Sequence, residues 1–216
     1  MAVIHQTVLK PTKLELLHAW LPTRAWYAGG PAGPELVKAG GFRVDDPAGE
    51  VGIEFAVIAD VSGAGEGDER VEPVTYLVPM SYRGAPLEGA EGALIGTMEH
   101  GVLGTRYAYD ACHDPVAVAE LAALIEGRAQ AQDQQLSDVP DRNVTAVYDG
   151  EGSLCAGLKA VEDDVDGTLL TLLPGSRIRV NRVLRPGAPA GGHGHLAGAW
   201  RTPGGARVEG AFAVVE

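Results

Sequence analysis

Thirty glycines and fourteen prolines punctuate this 216-residue sequence without a fixed period, and short runs rich in Val, Ile, Leu and aromatic residues lie between them. That spacing reads as turn chemistry in a protein of many short strands, and not as a collagenous repeat or a disordered tract. With 45% hydrophobic residues there is ample material for a buried core, and the length suits one large domain or two small ones.

Leu14, Leu16, Leu17, Trp20 and Leu21 recur mostly at three- and four-residue steps and predict a short amphipathic helix that stops before Pro22. Trp26 and Tyr27 precede a turn at Gly29-Gly30-Pro31. Residues 51–59 and 74–80 are predicted strands joined by an exposed, acidic, glycine-rich loop over 62–70, and 93–96 and 102–110 are further strands of the same sheet. Val116, Val118, Ala119, Leu121, Ala122, Leu124 and Ile125 predict the clearest helix of the chain, over 115–128. The polar run 130–135, ending at Asp138-Val139-Pro140, reads as a linker between a domain over 1–138 and a β-rich domain over 139–216. In the second part, strands are predicted at 143–148, 154–161, 168–173, 177–184, 195–200 and 206–215, separated by Asp-Gly, Pro-Gly and Gly-Gly turns. The fold class is α+β.

The formal charge of −12 is uneven: residues 1–140 carry 9 basic and 20 acidic residues, and residues 141–216 carry 8 and 9. Such a chain repels a phosphate backbone and has no basic face with interleaved aromatics, which argues against nucleic acid as a partner. The N-terminus lacks a basic region followed by an apolar run, and no stretch approaches 18 uncharged apolar residues, so the expectation is a cytoplasmic protein with no membrane partner. Two cysteines, Cys112 and Cys155, are too few for a disulfide framework or a Cys-rich zinc site and are expected to be reduced and buried.

Tyr109-Asp110-Ala111-Cys112-His113-Asp114-Pro115 gathers a thiol, an imidazole and two carboxylates. An imidazole within reach of a thiol is a nucleophile pair, but adjacent side chains on an extended backbone diverge. Asp114 followed by Pro115 has a simpler meaning, since Asp accepts from the free amides of a first helical turn and Pro suits its first position. Asp110, His113, Asp114 and Pro115 are therefore assigned structural roles at the entrance to the helix, and no catalytic residue is assigned. His193 and His195 could share a metal ion, yet no third ligand stands near them, and the Gly/Pro-rich stretch 186–194 reads as a loop; no metal or cofactor is expected. Arg177, Arg179, Arg182 and Arg185 form a basic strand, with Arg177, Arg179 and Asn181 on one face. Arg177, Arg179 and Arg182 are the candidate ligand-binding residues, for an anion or a nucleotide phosphate; the competing meaning is a solvated strand paired with the acidic first part. No phosphate-cradling Gly-rich loop and no Gly-x-Ser-x-Gly motif is present.

Three separated stretches resemble the N-terminal cap domain of actinobacterial maltokinases: Trp20-Leu21-Pro22-Thr23-Arg24-Ala25-Trp26-Tyr27-Ala28-Gly29, Thr75-Tyr76-Leu77-Val78-Pro79-Met80-Ser81-Tyr82-Arg83, and residues 93–97 through 109–115. The likeness covers about the first 130 residues. It implies a curved antiparallel sheet with a few helices, of the kind attached in that family to a kinase-like body that phosphorylates maltose with ATP. The stretch 177–187 is similar to the kinase N-lobe strand that carries a nucleotide-anchoring lysine, but here no lysine stands on it. No His-x-Asp with a downstream Asn occurs in the chain, so phosphoryl transfer by this polypeptide alone is not expected.

The resemblance thus implies a non-catalytic cap-like module, a partner or regulator of an enzyme in α-glucan, maltose or trehalose metabolism. The alternative is a sugar- or nucleotide-binding protein, or part of a maltokinase-type phosphotransferase, for which Trp26, Tyr27, Tyr76 and Trp200 could stack on a sugar, although aromatics are only 6% of the chain and most are expected to be core. Self-association is a third reading, and oligomeric state is left open.

Overall fold

A computed structural model describes residues 9–30, 33–63, 72–136, 138–187 and 192–216. Two antiparallel sheets carry the architecture. The first part of the chain supplies β1 (Leu9–Lys10), α1 (Lys13–Trp20), β2 (Leu36–Asp45), β3 (Gly52–Asp60), β4 (Val74–Arg83), β5 (Leu94–His100), β6 (Gly104–Asp110), α2 (Pro115–Ile125) and β7 (Ala131–Gln132). The second supplies β8 (Val144–Tyr148), β9 (Gly157–Asp164), β10 (Gly167–Leu173), β11 (Arg177–Val180), β12 (Gly194–Arg201) and β13 (Arg207–Val215). Sheet A is a curled half-barrel in the order β1-β5-β6-β4-β3-β2-β7, and sheet B runs β8-β12-β13-β11-β10-β9. The fold is α+β, with a curved antiparallel sheet and few helices.

Both faces of sheet A are covered at its centre, which is why β3 and β4 read as almost unbroken apolar runs. On β3, Phe55, Val57 and Ala59 face α2 and sheet B, while Ala56 and Ile58 face α1, which ends in Trp20, and Trp26 beyond it. Thr12 caps α1: its hydroxyl accepts from the Glu15 amide and the Glu15 carboxylate accepts from the Thr12 amide, a reciprocal pair that satisfies the helix entrance. On the other face Ala117, Val118, Leu121, Ala122, Ala123, Leu124 and Ile125 of α2 are all buried.

One apolar cluster runs through α2, sheet A and sheet B without interruption. At its centre Phe42 of β2 stacks on Phe55 of β3, with ring centroids 4.6 Å apart and planes 3° from parallel, and Phe212 of β13 lies 5.9 Å from Phe42. Gly198 makes room for that ring, since a Cβ there would stand 2.2 Å from Phe212.

β2 was not anticipated from sequence. A bulge at Ala39 and the Gly40-Gly41 pair after it hide the strand pattern, with Gly41 at φ 128° and so close to the Phe55 carbonyl that a Cβ would lie 2.4 Å from it. The polar run 130–135 is not a bare spacer: Ala131 is buried, β7 pairs with β2, and the Gln134 amide donates to Glu54 at 2.9 Å. The predicted helix to 128 ends at Ile125, and the predicted strand 177–184 stops at Val180. Most of the acidic loop over 62–70, Pro31 of the predicted turn, and residues 188–191 of the glycine-rich loop lie outside the described residues.

Candidate functional site

β6 leaves sheet A at Asp110, opposite Met80, so the start of β4 lacks a neighbour on that side. Residues 182–184, arriving from β11 in sheet B, fill the gap: the Leu77 amide donates to the Arg182 carbonyl at 2.9 Å and the Leu184 amide to the Thr75 carbonyl at 2.7 Å. This crossover delivers Arg182 to Asp110. Both are buried, at 0% and 1% side-chain exposure, and Nη2 donates to Oδ1 at 2.8 Å and Oδ2 at 2.6 Å. Nε donates to Thr168 Oγ1 at 2.7 Å, and Thr168 in turn donates to Asp163. The guanidinium carbon lies 4.9 Å over the ring of Trp26. Burial works against the charge of Arg182, and the Asp110 carboxylate outweighs it, so the guanidinium is held above its ordinary pKa.

Around this joint each remaining group of the 110–115 stretch has a partner or a place. Asp110 Oδ1 also accepts from the Cys112 amide, starting a short 3-10 turn over residues 111–113. Asp114 accepts from the Val116 amide at the head of α2, where Pro115 holds the first position. Arg83 grips the Asp114 carboxylate with Nε at 2.7 Å and Nη2 at 2.6 Å. Burial raises the pKa of Asp114, and the hydrogen bonds and positive charge of Arg83, together with smaller contributions that include the Val116 amide, more than offset this, leaving it below the ordinary carboxylate value. Cys112 is buried, and desolvation pushes its thiol well above the ordinary value, the reverse of what a nucleophile needs. Iodoacetamide is therefore expected to leave Cys112 unmodified in the native protein and to label it only after unfolding, as read by peptide mass spectrometry.

A second feature occupies the end of sheet A beyond the start of α1. It is a pocket of about 430 Å³, to which β1 to β6 all contribute. Lys13 Nζ bonds both oxygens of Glu54, at 2.6 and 2.7 Å, and the Tyr82 hydroxyl donates to Oε2 at 3.0 Å. Arg43 and Arg106, with Asp46 and Glu50, add further charged groups to the lining.

Residues 20–114 match the family model of the maltokinase N-terminal cap domain. The chain carries a maltokinase-type cap domain. The match begins at Trp20, at the end of α1, and ends at Asp114, the residue that caps α2. The cap domain thus includes β2 to β6 and Asp110, while α2, sheet B and Arg182 lie beyond the matched segment. The described residues contain no helix long and apolar enough to cross a membrane.

The candidate ligand arginines do not converge. Arg182 is sealed against Asp110 of the cap domain. Arg179 bonds Asp164 and Glu216, and Arg177 bonds Glu216. The exposed arginines therefore pair within sheet B and not with the acidic cap domain; alternation gave the face correctly but not the partners. Trp26, Tyr76 and Trp200 are buried and unavailable to a sugar, because Trp26 and Tyr76 pack together at 5.9 Å and Trp200 packs near Phe212. Tyr27 is half-buried and stacks on Tyr76. His113 is half-buried at the end of the 3-10 turn, and Asp110 reaches the Trp20–Tyr27 stretch only through Arg182 over Trp26. His193 is exposed, 3.9 Å from Asp149, and among the described residues no group of three His, Cys, Asp or Glu is placed to hold a metal.

The reach of Arg182 across to Asp110, 72 residues away, has no sequence signal in either segment. Arg43 and Arg106 were likewise unmarked, since Arg43 sits on the strand that the glycine pair obscures.

Proposed function

We infer that this chain is a non-catalytic cap module that binds a maltokinase-type enzyme, or another enzyme of α-glucan, maltose or trehalose metabolism, as its partner or regulator in the cytoplasm. The match over residues 20–114 to the maltokinase N-terminal cap domain carries the reading. The joint lends it support: Asp110, Cys112, Asp114 and Arg182, the buried carboxylates, thiol and guanidinium around the 110–115 stretch, are committed to holding the cap domain onto α2 and sheet B. A site built for transfer chemistry keeps such groups open to substrate; here they are closed in protein.

The test is affinity capture with the full chain from its native cell extract, followed by reconstitution with the purified kinase. The expected result is a stable complex with a maltokinase-type or related glucan-pathway enzyme, and no steady ATP consumption by the pure chain with maltose. Sustained ATP turnover that survives further purification, or failure to bind any such enzyme in reconstitution, would overturn the reading.

A further inference from the structure

The pocket at the end of sheet A holds basic groups in unequal circumstances. Lys13 is committed to Glu54, and both Glu54 oxygens are in turn occupied, by Lys13, Tyr82 and Gln134. Asp46, the buried acid on the same wall, spends Oδ1 on the Ala48 amide and Oδ2 on the amides of Glu50 and Val51. Those carboxylates are satisfied internally, and the remaining acid of the wall, Glu50, is exposed to solvent. Arg106 differs. It is half-buried on β6, its Nε is closed off from solvent, and that atom has no hydrogen-bond partner among the described residues. Arg43, across the pocket on β2, donates through Nε to the Asp133 carbonyl at 3.2 Å, but its buried Nη2 has no partner either.

Buried guanidinium donors left without acceptors are costly, and in a protein of net charge −12 a carboxylate for Arg106 would be easy to supply. The volume of about 430 Å³ lies in the range of small-molecule sites, and Leu9, Ile53, Met98 and Leu103 give it an apolar wall. A guanidinium presents paired N–H donors that suit the oxygens of a carboxylate or phosphate.

We propose that this pocket binds a small organic oxoanion, a phosphate monoester or a carboxylate, whose charged end is held by Arg106 with Arg43 in support and whose apolar body lies on Leu9, Ile53, Met98 and Leu103. The binding site is independent of the partner reading, because it needs no second protein.

The probes are phenyl phosphate and benzoate, with inorganic phosphate and benzyl alcohol as comparisons, each titrated into the full chain while the melting temperature is followed. Binding to the native state alone is expected to raise the Tm by about 3 °C or more at saturating phenyl phosphate or benzoate. The stronger of these two identifies the charged group, and benzyl alcohol is expected to give no shift. Arg106→Gln is expected to abolish the rise, whereas Arg201→Gln, at the exposed end of β12, retains it. Should Arg106→Gln fold poorly, phenylglyoxal labelling of the wild-type chain supplies the same information, with the probe expected to protect Arg106 at least threefold. No shift with either organic anion, an equal shift with benzyl alcohol, a rise that persists in Arg106→Gln, or unprotected Arg106 would each overturn the proposal.

Discussion

Arg182→Met is expected to lower the melting temperature by roughly 6–20 °C, the consequence of losing about 3–5 kcal/mol when one partner of a buried ion pair is removed. The cost arises from what remains. Asp110, with 1% side-chain exposure, keeps the Cys112 amide but loses its bidentate cationic partner once the guanidinium is gone, and a buried carboxylate without its counter-charge is strongly disfavoured. Thr168 also loses the Nε donor, and Trp26 loses the cation above its ring. The double variant Asp110→Asn/Arg182→Met removes the stranded charge while keeping an oxygen for the Cys112 amide, and is expected to recover more than half of the loss. Thermal or urea unfolding of the four proteins of this cycle checks both statements. A double variant no better than Arg182→Met would mean that packing, and not the charge pair, dominates the joint.

Phe212→Ala is the second large effect. Phe212 is 1% exposed and stands where β13 of sheet B meets Phe42 of sheet A. Truncating a buried Phe costs about 3–5 kcal/mol through lost transfer energy and the cavity left behind. Its position makes the form of the transition as informative as its midpoint. Because one apolar cluster spans α2 and both sheets, the damage is expected to reach Trp26, on the α1 face of sheet A, as well as Trp200 on sheet B. Fluorescence of single-tryptophan versions that retain Trp26 or Trp200 should therefore fall at a common, lowered midpoint. Two separated midpoints, with only the Trp200 signal displaced, would mean that the sheets are stable independently.

Much of this architecture was legible before any coordinates. The Val/Ile/Leu runs between glycines announced strands, and the apolar positions of 116–125 announced α2, because side-chain periodicity is local information. Asp114-Pro115 was readable as a helix entrance for the same reason, since a cap and its amides lie within one turn. β2 was hidden because its bulge at Ala39 and the glycine pair that follows break the period that marks a strand. That most aromatics belong to the core was readable from their scarcity, but which ones was not, because composition does not say which side of a sheet a ring faces; of Trp26, Tyr27, Tyr76 and Trp200, three are core.

The candidate sites fared according to how far their partners lie along the chain. Alternation placed Arg177 and Arg179 together correctly, but Arg182 follows the end of β11, where alternation no longer applies, and crosses to another sheet. The Arg43 and Arg106 pocket draws on β1 to β6, and its distinguishing property is a pair of donors without partners among the described residues, which depends on how the Asp46 and Glu54 carboxylates are already bonded in the fold.

By itself the sequence determined the α+β class and the capped start of α2, which rest on spacing within short segments, while three separated stretches of its first part carried the resemblance to the maltokinase cap. Tertiary structure alone decided that the cap and the second sheet share a core, that Arg182 closes on Asp110 and that Arg106 Nε has no hydrogen-bond partner among the described residues. Pairings between residues many tens of positions apart depend on how strands are ordered and where each one stops, and no local pattern records that.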